Sequence, residues 1–218
     1  CVCGYSVHTH QSSICKGFVT VKGGHRVGIT GTAVCAGGEI TAVREISSIN
    51  IRISKEYKGI ATGLFSAVKN LSNKSTIIAG APSSGKSTVL RDLARLMSGE
   101  EGGYFKTVII DEREEIAACS NGVPGNDVGI SCDVLSAYPK KEAVLIALRS
   151  MGPDNIFIDE IGSFEEVRAI EEGLNSGVDF FLTVHASSKE DLLRRPQIKY
   201  LLDTKAFGAV ALLSGRDK

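Results

Sequence analysis

The chain has 218 residues, enough for one or two domains with a sizeable core. Its 25 Lys and Arg balance 25 Asp and Glu, and only 6% of residues are aromatic, which argues against a dominant nucleic-acid surface. No apolar run approaches the roughly 18–20 residues of a membrane span, and no signal-peptide pattern opens the chain.

A short helix is predicted near Tyr5–Cys15. The chain begins at Cys1 rather than Met, so it is expected to be a trimmed piece whose natural N-terminus lies upstream. Cys1, Cys3, His8 and His10 stand close together, but C-x-C followed by H-x-H is not a standard zinc spacing, and ordinary surface or core roles are expected. The 6 cysteines contain no C-x-x-C pair, as in a protein of reduced thiols. Residues 17–54 form a β-rich stretch. Strands are predicted at Gly17–Val21, His25–Ile29, Glu39–Val43 and Ile49–Ile53, with turns at Lys22-Gly23-Gly24 and Ala36-Gly37-Gly38. Gly23-Gly24 is read as a hairpin turn, because no Lys-Ser/Thr follows it and no helix opens there.

Ser54-Lys55-Glu56-Tyr57-Lys58-Gly59 reads as a linker, giving a small N-terminal domain at 1–58 and a larger one at 59–218. The first carries 7 Lys/Arg against 3 Asp/Glu, net +4, and the second 18 against 22, net −4. Beyond residue 59 strand alternates with helix. Strands are predicted at 75–79, 107–111, 155–159, 179–184 and 207–213, and helices near 60–71, 86–98, 139–151, 163–175 and 188–194. The apolar runs are short and continuous, as in strands buried on both faces, so the fold class is α/β with a parallel sheet flanked by helices.

The strongest motif is Gly80-Ala81-Pro82-Ser83-Ser84-Gly85-Lys86-Ser87, followed by Thr88: a full G-x-x-x-x-G-K-[ST] pattern between a predicted strand and a predicted helix. Its glycines allow a tight backbone whose N–H groups point at the phosphates of a nucleoside triphosphate; Lys86 reaches the β- and γ-phosphates, and the Ser87 hydroxyl ligates Mg²⁺. Asn155-Ile156-Phe157-Ile158 ends in Asp159-Glu160, placing Asp159 to hold Mg²⁺ beside Ser87 and Glu160 to orient the attacking water. Val108-Ile109-Ile110 ends in Asp111-Glu112-Arg113-Glu114-Glu115, with Glu112 and Glu115 as further candidate catalytic carboxylates. His185 closes Phe180-Phe181-Leu182-Thr183-Val184 at the same predicted sheet edge, where it can donate to the γ-phosphate.

The P-loop, the acidic box at 111–115, Leu148-Arg149-Ser150-Met151-Gly152-Pro153-Asp154 and Thr183-x-His185-Ala186 together are similar to the secretion ATPases, the RecA-like motors of type II and type IV secretion and pilus assembly. Within that superfamily the chain resembles the stage III sporulation AA family. Gly23-Gly24-His25-Arg26-Val27-Gly28, the run Arg44–Ile53 and Asp111-Glu112-Arg113 carry that closer likeness. The resemblance implies a RecA-like core with a small β-rich N-terminal domain. It implies a homohexameric, Mg²⁺-dependent ATPase in the cytoplasm, on the mother-cell side of a membrane-anchored sporulation channel complex. It also implies that the N-terminal domain supplies arginines to the phosphates, with Arg26, Arg44 and Arg52 as candidates. The acidic box departs from the usual Glu-Asp order, and the Cys-rich zinc module of some members is absent from this sequence. Two other readings stay open: a RecA-like nucleic-acid translocase, and a slowly hydrolysing, nucleotide-gated scaffold.

Overall fold

The computed structural model describes residues 7–215. Tyr5 of the predicted first helix, together with Cys1 and Cys3, lies outside them. The chain divides into two compact units. One runs up to Lys55 and takes in Ala118–Asn126; the other comprises Glu56–Ala117 and the chain from Asp127 onward.

In the first unit a single 3₁₀ turn at His8–His10 leads into α1, Gln11–Cys15. Three antiparallel strands follow: β1 Phe18–Val21, β2 His25–Ala36 and β3 Glu39–Arg52, in the order β1-β2-β3. The segments predicted separately at 39–43 and 49–53 are therefore one long strand. Its continuity survives a bulge: the register passes from Thr30↔Ser48 to Thr32↔Arg44, leaving extra residues on β3. Glu45 takes a positive φ of 46° there and accepts a 2.8 Å hydrogen bond from Thr32 Oγ1. At the hairpin tip Gly37 and Gly38 both have positive φ, 60° and 85°, as a two-residue turn between twisted strands requires. The segment Ala118–Asn126 belongs by its packing to this unit.

In the second unit, α2 (Thr62–Val68) precedes six parallel strands: β4 Thr76–Gly80, β5 Thr107–Asp111, β6 Cys132–Ser136, β7 Asn155–Ile158, β8 Asp179–His185 and β9 Ala209–Leu213. Their order is β6-β5-β7-β8-β4-β9. The helices are α3 Lys86–Ser98, α4 Lys140–Ser150, α5 Phe164–Asn175, α6 Lys189–Leu193 and α7 Pro196–Asp203. β6 and α7 are additions to the elements predicted from sequence.

Alternation along the buried strands sends side chains to both faces. Val108, Ile110, Ile156, Ile158, Phe180 and Leu182 pack against Ala143, Val144 and Ala147 of α4 and Val167 and Ile170 of α5. Ile77, Ala79 and Val184 meet Leu192 of α6 and Ile198 of α7. The alternate residues Ile78, Ile109, Phe157 and Phe181 are fully or almost fully buried, and the two phenylalanine rings stack at 4.4 Å. α3 packs against β4, β5 and β8. Because all strands are parallel, their C-terminal ends line one edge, bringing Gly80, Asp111, Ile158 and His185 together. Among the described residues no helix is long and apolar enough to cross a membrane.

Candidate functional site

The loop after β4 is shaped by two local demands. Ser83 and Gly85 take left-handed backbone, φ 61° and 95°, so the chain curls before entering α3 at Lys86. A Cβ on Gly80 would lie 2.3 Å from Ser84 Oγ and 3.3 Å from the Leu213 Cβ, so a side chain there would have to displace the Ser84 hydroxyl. Lys86 is buried and donates from Nζ to the carbonyls of Gly80 and Ala81 at 3.0 and 2.7 Å. Burial pushes its pKa down, against the opposing pull of Asp159 and Glu160.

Across from the loop, Ser87 Oγ donates to Asp159 Oδ2 at 2.7 Å, and Asp159 Oδ1 accepts from Thr183 Oγ1. Glu160 sits just past β7 in left-handed backbone, φ 58°. Its N–H donates to Thr183 Oγ1 at 2.8 Å and its carbonyl accepts from Lys140 Nζ at 2.7 Å. Its carboxylate is engaged by Arg113 on one oxygen and by His185 Nε2, 3.2 Å away, on the other. A cavity of about 700 Å³ opens here, lined by Ser83, Gly85–Thr88, Arg113, Glu115, Asp159, Glu160 and His185.

Of the residues singled out from sequence, Ser83, Gly85, Lys86, Ser87, Thr88, Glu115, Asp159, Glu160 and His185 thus share one cavity. Gly80 and Ala81 contribute carbonyls to Lys86, Ser84 packs against Gly80, and Pro82 is exposed on the loop. Glu112 turns instead to Lys140, 3.3 Å away. Asp111 is buried and accepts from the backbone N–H groups of Glu115, Ile116 and Ala117 at 2.8 to 3.1 Å, which folds the loop that carries Arg113 and Glu115. Arg26, Arg44 and Arg52 stand on the sheet of the first unit, with Arg26 directly across from Arg52 and its guanidinium 4.5 Å from the Phe18 ring.

Sequence reasoning placed Arg113 in the acidic box and Thr183 in the box that ends at His185 without giving either a role, and it missed Lys140. Lys140 carried a detectable signal: a lysine at the first residue of a helix opposes the helix dipole, and needs acids supplied from elsewhere.

The residues present fit a triphosphate. Ser84 Oγ is buried with no hydrogen-bond partner among the described residues, and Ser83 and Gly85 curl the loop through left-handed backbone. Among the described residues no group of three or more His, Cys, Asp and Glu side chains could hold a metal. Ser87 and Asp159 could therefore share Mg²⁺ only with phosphate oxygens and water completing its shell.

The sequence matches the family described as "Sporulation stage III, protein AA" over residues 1–218. It is 42% identical over 212 residues to the "Stage III sporulation protein AA" of Bacillus subtilis (strain 168), covering 96% of this chain and 69% of that protein. The fold is similar to that of the ATPase DotB of Legionella pneumophila, with a TM-score of 0.57 and 20% identity, over 87% of this chain and 54% of that one. It is similar also to the pilus retraction motor PilT solved with bound ADP, with a TM-score of 0.59 and 15% identity, over 94% of this chain and 61% of that one. The chain thus spans between half and two thirds of these solved proteins, and likeness at such identity shows a shared fold, a RecA-like parallel sheet flanked by helices. The whole-length match and the close Bacillus relative together place the chain in the sporulation stage III, protein AA family.

Proposed function

We propose that the chain is a Mg²⁺-dependent ATPase, the ATP-hydrolysing motor of a membrane-associated secretion or channel complex. In the setting that the family supplies, this is the mother-cell-to-forespore complex of endospore formation. The observation that carries the reading is the convergence of Lys86, Ser87, Asp159, Glu160 and His185 on one cavity at the carboxyl edge of a parallel sheet. Family membership and the likeness to an ATPase and to an ADP-bound motor support it.

On this reading Lys86 exchanges its two carbonyl partners for β- and γ-phosphate oxygens, which restores a charged environment to a buried ammonium. Ser87 and Asp159 hold Mg²⁺, which supplies charge neutralisation on those oxygens. Glu160 orients the attacking water and takes its proton, with Glu115 across the cavity, while His185 donates to the γ-phosphate. One or more of Arg26, Arg44 and Arg52 complete the charge stabilisation from the N-terminal domain. The motor works as a homohexamer in the cytoplasm, docked on membrane-anchored proteins of the complex.

A second reading, a slowly hydrolysing scaffold, is favoured by one specific contact. The Glu160 carboxylate already holds Arg113 on one oxygen and His185 on the other, which leaves fewer of its lone pairs free for a water.

Mg²⁺-dependent phosphate release by the wild-type chain, compared with Glu160→Gln and with Arg26→Ala, Arg44→Ala and Arg52→Ala, tests the proposal. Release should fall at least 100-fold in Glu160→Gln and fall in at least one arginine variant. Equal release by wild type and Glu160→Gln contradicts the assignment of the base. An arginine whose removal leaves the rate unaltered drops from the site.

A further inference from the structure

Lys140 opens α4 directly after Pro139, where the positive end of the helix dipole disfavours a cation. A lysine placed there for solubility would reach into water, as the exposed Lys141 beside it does. Lys140 is instead buried, at 7% exposure. A buried ammonium is tolerated only with partners for its three donors. Lys140 Nζ donates to the Glu160 carbonyl at 2.7 Å and forms ion pairs with Glu112 Oε2 at 3.3 Å and Glu166 Oε1 at 4.0 Å. These acceptors belong to three different segments: the loop after β5, the loop after β7 and the first turn of α5. Glu166 in turn accepts from the N–H groups of Gly162 and Ser163 at 2.9 and 3.3 Å.

The residue that this arrangement grips is in an unfavourable backbone state. Glu160 is not a glycine, yet has φ 58°. One side of it is fixed by Thr183 Oγ1 on its N–H and the other by Lys140 on its carbonyl. The next N–H, of Ile161, is held by the Thr183 carbonyl at 3.2 Å. With both flanking peptides fixed, the direction of the Cα–Cβ bond is fixed too. Lys140 itself lines not the large cavity at the Gly80–Ser87 loop but a smaller one of about 400 Å³ beside it, with Glu112, Glu166 and Arg195.

We propose that Lys140 is the positioning residue of Glu160: it holds the backbone from which the carboxylate is aimed at the water, without touching nucleotide. The proposal rests on the hydrolytic reading above. Lys140→Met keeps the length of the side chain and removes its donors. It should lower kcat about 10- to 100-fold, the scale on which a small misplacement of a reacting group acts. The Kd for Mg²⁺-ADP should stay within about two-fold, because no nucleotide contact is lost. In a Glu160→Gln background the same substitution should cost nothing further, as its effect passes through the carboxylate. Lys140→Arg, which restores charge and donors, should recover part of kcat. If Lys140→Met does not fold, Lys140→Gln is measured in its place with the same readouts.

A kcat within about two-fold of wild type overturns the proposal, as does ADP affinity falling in step with kcat, or a further loss in the Glu160→Gln background. Wild type no faster than Glu160→Gln would instead overturn hydrolysis by Glu160, and the proposal with it.

Discussion

Lys86 shows what the candidate site costs the free protein. Its ammonium is buried beneath the loop on two carbonyls, and burial holds its pKa below the ordinary lysine value. A lysine whose folded pKa lies below its unfolded one opposes folding wherever both states are protonated, and stability rises as pH climbs from the folded pKa to the unfolded one. Lys86→Met should therefore leave the nucleotide-free chain at least as stable as wild type at neutral pH and abolish the alkaline gain. Urea unfolding from pH 7 to 11 checks this, and a clear loss of stability at neutral pH would contradict it. Much of this site was legible, because G-x-x-x-x-G-K-S and Asp159-Glu160 fix residue types whose neighbours in space follow from the fold. The acidic box was less legible. Glu115 lines the cavity, Glu112 pairs with Lys140 and Asp111 takes three backbone N–H groups, and nothing in five consecutive polar residues announces that split.

Among the elements, α5 is the one whose start is most fully specified locally. Ser163 Oγ accepts from the Glu166 N–H at 3.2 Å while Glu166 reaches back to the Ser163 N–H, a reciprocal capping box. Ser163→Ala should lower the unfolding free energy by about 1 kcal/mol, read as a shifted denaturant midpoint at unchanged slope. An unmoved midpoint would mean that packing of Val167 and Ile170 alone sets the helix. The elements missed from sequence have weak local signals for identifiable reasons. β6 is an edge strand of Cys132-Asp133-Val134-Leu135-Ser136, half polar, with only Leu135 fully buried. α7 begins at Pro196, which reads as a breaker but here occupies the first helical turn, where its missing N–H has no cost. The break predicted within β3 was a bulge. Period-2 alternation on either side of it was correct, but a bulge shifts the phase without ending the strand.

For the whole molecule, composition and periodicity were enough for the fold class. They were not enough for how the chain shares itself between its two units. Residues 118–126 join the first unit although the surrounding sequence builds the second, a non-local partition that linker composition does not encode. The points where the second unit's chain leaves and returns are tied down within that unit. Asp111 gathers the N–H groups up to Ala117, and Glu56 accepts from the Asp127 N–H. The Asp127 carboxylate pairs with Lys58, and that hydrogen bond holds its pKa below the usual carboxylate value.

We propose above that Glu160 drives ATP hydrolysis in a homohexameric motor. The most direct test of that proposal is Mg²⁺-dependent ATP hydrolysis per subunit across a wide range of protein concentration, with Glu160→Gln as the blank. Specific activity should rise with concentration and stay above the blank throughout. Activity indistinguishable from Glu160→Gln at every concentration would contradict it.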